Sequence, residues 1–139
     1  MPAVCSHRGD GDDGDECGRC AEREAGIQQI AAQLDVLEKL CEAGPYFVGD
    51  KPTTTDAALF PTFIFLVFML PSKFGWADVF AGKPKLNAWW ETMRKDPQGS
   101  RVYTEIHEAL QGWDASGRWE NLGINQQIAE NRDKVKWAY

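Results

Sequence analysis

The sequence predicts an all-α fold, and three observations carry that expectation. Apolar residues recur at three- and four-residue steps through most of the chain. Gly-Pro, Asp-Pro and lone Gly breaks separate these runs. No segment of note alternates with the two-residue period of a strand. The 139 residues fit one domain that can bury a core without disulfide staples.

Residues 1–20 are rich in Gly and Asp with no hydrophobic period, and are expected to be a flexible segment. Residues 21–43 read as a helix with Ile27, Ile30, Leu34, Leu37 and Leu40 on its inner face and Ala31 and Cys41 beside them. Gly44-Pro45 ends it. After the connector 46–52, Thr53 and Asp56 have the spacing of a capping box, so a second helix starts there. Its residues Ala57 to Leu70 are apolar on every side, which predicts burial all round. Pro61 is expected to kink it and Pro71 to close it.

A third helix begins near Lys83-Pro84, with Leu86, Trp89, Trp90 and Met93 facing inward. Asp96-Pro97 breaks it. A fourth runs from about Ser100 to Leu110 with Val102, Tyr103, Ile106, Ala109 and Leu110 as its stripe, and Gly112 ends it. The tail 114–139 is polar with spaced aromatic anchors, and 122–136 is expected to be partly helical.

The charge of −6 is concentrated at the start: Asp10, Asp12, Asp13, Asp15, Glu16, Glu22 and Glu24 stand against Arg8, Arg19 and Arg23. No basic patch follows, which argues against nucleic acid and anionic membrane surfaces as partners. The run 57–70 is short for a membrane span and is interrupted by Pro61 and Thr62, so it reads as a core helix. The four cysteines do not form a disulfide framework, which points to a reducing compartment and a cytoplasmic protein. The N-terminus carries no apolar leader and is too acidic for a usual transit peptide.

The segment Tyr46-Phe47-Val48-Gly49-Asp50-Lys51-Pro52-Thr53-Thr54-Thr55-Asp56-Ala57 resembles the glutathione S-transferase C-terminal domain. There, an aromatic or aliphatic pair precedes Gly-Asp and then a Ser/Thr-x-x-Asp box that caps the central helix. Pro84-Lys85-Leu86-Asn87-Ala88-Trp89 resembles the family's Pro-x-Leu-x-x-Trp stretch, and Asp96-Pro97 the break that follows. The likeness covers roughly residues 25–113. It implies a helical bundle over 21–113, shortened at its N-terminal side, where the segment 1–20 takes the place of the family's preceding long helix. It also implies a chain without the thioredoxin-like half, which carries the catalytic residue and the glutathione grip.

Several residues are candidates for chemistry or binding. Thr53 and Asp56 form a structural cap. Phe63, Phe65, Phe68 and Met69 either fill the core or line an apolar pocket, and core filling is the stronger reading. Trp119, Trp137 and Tyr139 are anchors that dock onto a partner or back onto the same domain. Cys5, His7, Cys17 and Cys20 make a four-ligand Cys/His set for zinc, but the loop between them has no apolar residue to pack, and incidental cysteines are favoured. The nearby carboxylates disfavour a redox thiolate in the pair Cys17 and Cys20. His107 reads as a surface or packing residue, and Cys41 as a small buried hydrophobe.

The expected function is a non-catalytic interaction or assembly module with another protein chain as partner, without cofactor. The alternative is the substrate-binding half of a glutathione transferase whose catalytic half lies elsewhere, and glutathione would then be its ligand. A third reading is a carrier of small apolar molecules.

Overall fold

The fold was described from a computed structural model, which places the backbone of residues 14–42 and 44–131 and the side chains of 22–42 and 44–130. Six helices follow one another among these residues: α1 (Gly14–Leu40), α2 (Thr54–Phe74), α3 (Pro84–Lys95), α4 (Pro97–Ala115), α5 (Arg118–Asn121) and α6 (Ile124–Asn131). There is no strand among the described residues. The all-α expectation therefore holds.

α1 begins at Gly14 rather than at residue 21, so the end of the segment expected to be flexible is helical. Asp15 and Glu16 fall in its first turn, where the helix dipole favours negative charge. The stretch after them has no Pro or β-branched residue to resist the helix before Ile27. At the other end the inner face closes on Cys41, which is buried, and not on Leu40, which is 62% exposed. The helix stops at Leu40, and Cys41 N donates to Leu37 O at 2.8 Å, which turns the thiol inward.

α2 passes through both Pro61 and Pro71 and ends at Phe74, three residues beyond the expected stop. Gly75 then takes the left-handed conformation, φ 68°, that releases the chain. Trp76 N donates to Leu70 O at 3.1 Å across that turn. Phe60, Phe63, Ile64 and Leu70 are core residues, but burial is not all round. Phe65 is 41% exposed and Leu66 to Met69 are half-buried, because α4 covers one side of α2 while an open groove separates it from α1. By length and composition α2 is also apolar enough to cross a bilayer, a test that the core helix of a bundle passes too.

α3 buries Leu86, Trp89, Trp90 and Met93 as its spacing predicts. Asp96 ends α3 and starts α4 in one residue: its extended backbone (φ −64°, ψ 134°) breaks the first helix. Its carboxylate accepts hydrogen bonds from Gln98 N and Gly99 N at 3.0 Å. With that cap and Pro97 at the first position, α4 starts before Ser100, and it runs through Gly112 to Ala115. Its stripe is Val102, Tyr103, Ile106 and Leu110, while Ala109 faces solvent.

The core is aromatic. Trp89 is fully buried, with its ring set edge-on to Phe47, Phe60 and Phe63 at 5.9, 6.3 and 5.2 Å between centroids. Such edge-to-face pairs add about 0.5–1.5 kcal/mol each beyond the area they bury.

Candidate docking groove and the hub that positions it

The capping box at the start of α2 does more than cap. Asp56 is 1% exposed, and its carboxylate gathers donors from three parts of the chain. Oδ2 accepts from Thr53 N at 2.7 Å and Thr53 Oγ1 at 3.1 Å. Oδ1 accepts from Phe47 N at 3.0 Å and from the indole Nε1 of Trp89 at 2.8 Å. Burial alone works against ionisation, yet the hydrogen bonds from Phe47, Thr53 and Trp89 outweigh it and hold Asp56 below the ordinary carboxylate range. One carboxylate thus fixes the connector, the start of α2 and the middle of α3.

A second carboxylate joins α1 to α3. Glu38 Oε1 accepts from Lys85 N at 3.0 Å and Oε2 from Leu86 N at 2.8 Å. These are N–H groups of the first turn of α3 that have no partner within the helix, and its own N-cap residue, Lys83, makes no side-chain cap. Glu38 lies off the apolar stripe that marks this helix in the sequence. Its partners lie 47 and 48 residues away, so no local spacing marks them. Burial first, then the nearby Glu38 carboxylate, push the thiol of Cys41 up, which suits an inert core residue.

With α1 pinned to α3 and α2 pinned by Asp56, a groove of about 460 Å³ stays open between α1 and α2. The α1 wall is Gly26, Gln29, Ile30, Gln33, Leu34 and Leu37; the α2 wall is Leu59, Thr62, Phe63 and Leu66. No charged residue lines it. Of the expected pocket residues, Phe63 reaches this groove and is itself part of the core. Phe65 is exposed and does not line the groove, Phe68 meets the edge of His107 on α4 at 5.8 Å, and Met69 is half-buried. The four do not make one pocket, because successive positions on a helix point in different directions.

The chain matches the family described as glutathione S-transferase, C-terminal domain, over residues 21–91, just over half its length. It belongs to that family. The match runs from the body of α1 through the Thr53–Asp56 box to Trp89 and Trp90 of α3. No curated protein and no solved structure matches the chain.

Elsewhere in this glutathione S-transferase C-terminal domain, the tail folds back. Lys73 at the end of α2 is buried and donates to Asp114 Oδ1 at 2.9 Å and Asn125 Oδ1 at 3.1 Å. Trp119 packs edge-on to Trp113 at 6.4 Å, with the Lys73 ammonium 5.9 Å from its ring, and its buried Nε1 makes no hydrogen bond. Of the three aromatic anchors, Trp119 thus sits on its own domain, while Trp137 and Tyr139 lie outside the described residues. His107 stacks on Tyr103 at 5.2 Å, in a packing role. Cys5 and His7 lie outside the described residues, and of Cys17 and Cys20 the backbone alone is described, within α1. Among the described residues no group of three or more His, Cys, Asp or Glu is placed to hold a metal ion.

Proposed function

We propose that this domain is a non-catalytic docking module, and that the face formed by α1 and α2 receives a helix of another polypeptide. The carrying observation is the uncharged, mostly apolar groove between α1 and α2, with Val36, Leu40 and Phe65 exposed elsewhere on the same two helices. From Gly26 to Leu40 the α1 wall and its continuation rise about 21 Å, the length of roughly four helical turns. An amphipathic helix lies along such a face by its apolar side. An extended strand would need free backbone donors and acceptors, and those of α1 and α2 are spent inside the helices. In this reading α2 is the core helix of a bundle and does not cross a membrane.

The alternative, the substrate half of a transferase, draws support from the groove volume. About 460 Å³ falls within the range of roughly 300–1,000 Å³ typical of small-molecule sites. Glutathione itself is anionic, however, and the groove offers it no cation. Calorimetric titration of the purified chain with reduced glutathione separates the two. The docking reading expects only heat of dilution from folded, helical protein. Saturable binding would put the transferase reading first.

A further inference from the structure

We propose that the mouth of the α1–α2 groove is covered by this chain's own segment 132–139, a basic and aromatic strap that a partner helix must displace. This rests on the docking reading above and adds its regulation: the domain keeps its docking face closed until the strap is moved. Position, charge and side-chain chemistry at that end of the bundle select the strap.

The Arg23 guanidinium lies 5.3 Å from the centre of the Phe74 ring, so the early part of α1 sits beside the end of α2. The Gly26 and Leu66 walls of the groove open toward that end. α6 is tied to the same place, since Lys73 donates to Asn125 Oδ1 at 3.1 Å. The chain leaves α6 after Asn131, about 9 Å of helix beyond Asn125. From Lys73 back to Leu66 is about 10 Å along α2. Residues 132–139 span about 26 Å when extended, more than those two steps together. They therefore reach the mouth of the groove at Gly26 and Leu66, and not its far end at Leu37.

The charge at the mouth is acidic. Glu22 is exposed and precedes the lining residue Gln29 by seven residues, two turns up the same side of α1. Asp15 occupies the same register position two turns earlier. The neighbouring cations are engaged, Lys73 with Asp114 and Asn125 and Arg23 over the Phe74 ring. Segment 132–139 brings Arg132, Lys134 and Lys136 against Asp133 alone. Their long side chains can pair with Glu22 and Asp15 while the apolar residues beside them turn to the groove.

The lining suits those apolar residues. Ile30 and Leu66 are apolar, while Gln29 and Thr62 put hydrogen-bonding groups among them. Val135, Trp137 and Tyr139 alternate with Lys136 and Ala138 in the sequence. An indole or phenol buries a large apolar body and keeps one polar edge for an amide or hydroxyl. The backbone of so short a strap stays in water, so it needs no donors or acceptors from α1 and α2. Tethering adds to this. A segment of the same chain competes at an effective concentration of the order of millimolar, so even a weak contact holds off a more dilute partner.

Photocross-linking in the full chain tests the proposal. A benzophenone amino acid in place of Trp137 is expected to give an adduct of single-chain mass, with its second site, located by peptide mass spectrometry, within 22–30 or 62–70. Titration with the neutral apolar dye Nile red is the second measurement. Trp137→Ser and Glu22→Lys should each raise dye affinity about tenfold, as when a site open roughly a tenth of the time becomes open throughout. Circular dichroism checks that the helices of each variant are intact. Adducts confined to other parts of the chain or of twice the chain mass overturn the strap, and so does equal dye affinity in the wild type and both variants. Equal binding that Gln33→Arg removes leaves the docking face standing, open and without a strap. No dye binding by any of these proteins overturns the docking reading as well.

Discussion

Asp56 and Trp89 are 33 residues apart in sequence and share a buried hydrogen bond of 2.8 Å between carboxylate and indole. The same carboxylate oxygen accepts the backbone N–H of Phe47 at 3.0 Å. A residue at a capping position therefore acts as the joint between three segments. Replacing it with Ala leaves the indole and the Phe47 amide without an acceptor in the core. Unsatisfied buried groups cost about 1–3 kcal/mol each, so Asp56→Ala should lose about 3 kcal/mol or more. That corresponds to a fall of roughly 10 °C in the thermal midpoint, read by circular dichroism. An unchanged midpoint would refute the hub.

The acid dependence follows from the same contacts. Asp56 titrates below its unfolded value, so the folded state favours the ionised form. Its contribution is fully present above the unfolded carboxylate value of about 3.9 and is lost as pH falls through the lower folded value. Urea denaturation from neutral pH down through that window should show falling stability in the wild type. Asp56→Asn should start less stable and lose less over the same range.

Glu38 caps a helix that is not its own. Glu38→Ala frees the amides of Lys85 and Leu86 and should cost about 1 kcal/mol, as the loss of an N-cap does. Hydrogen exchange should show the first turn of α3 opening faster while α4 is unaffected. Glu38→Gln should recover part of the loss, since its amide oxygen can still accept one of the two bonds.

Two glycines of α4 should respond to alanine with opposite signs. A β-carbon at Gly99 would collide with the Met93 carbonyl oxygen, so Gly99→Ala must push α3 and α4 apart. A cost of about 1–3 kcal/mol is expected from such overpacking. At Gly112 a β-carbon meets nothing, and the residue lies within the helix. Gly112→Ala should stabilise by about 0.8–1 kcal/mol through helix propensity. Chemical denaturation of the two single variants checks both signs.

Lys73 ties the tail to α2. Lys73→Met removes the bonds to Asp114 and Asn125. Asp114 is half exposed, so solvent screening reduces the worth of the pair to about 1 kcal/mol. Faster hydrogen exchange in α5 and α6, with α3 unchanged, is the expected result.

The helices with internal signals were legible in the sequence. The Thr53–Asp56 spacing marked the start of α2, Pro84 the start of α3, and Asp96-Pro97 the break between α3 and α4. The inner face of α3 followed from its 3.6-residue period. Composition misled at the start of α1, where acidic Gly-containing sequence proved compatible with a first helical turn. Composition is no better a guide along α2, where hydrophobicity on every side does not bring burial on every side. How much of an apolar helix is covered depends on its neighbours, and that is a property of the bundle. The partners of Glu38 and Lys73 lie 41 to 52 residues away, so nothing local to either residue announces them. The groove was beyond reach for the same reason: its walls come from two helices, and each wall alone reads as core.

The way Asp56 is bound sets the size of the smallest opening that the start of α2 can make. Fraying at a helix start is ordinarily cheap, because it releases one turn into water. Here the first turn of α2 cannot loosen without freeing the Phe47 amide and the Trp89 indole at the same time. The amides of Phe47 and Thr53 should therefore exchange with solvent as slowly as the core does, although a loop and a helix end are where fast exchange is normally found.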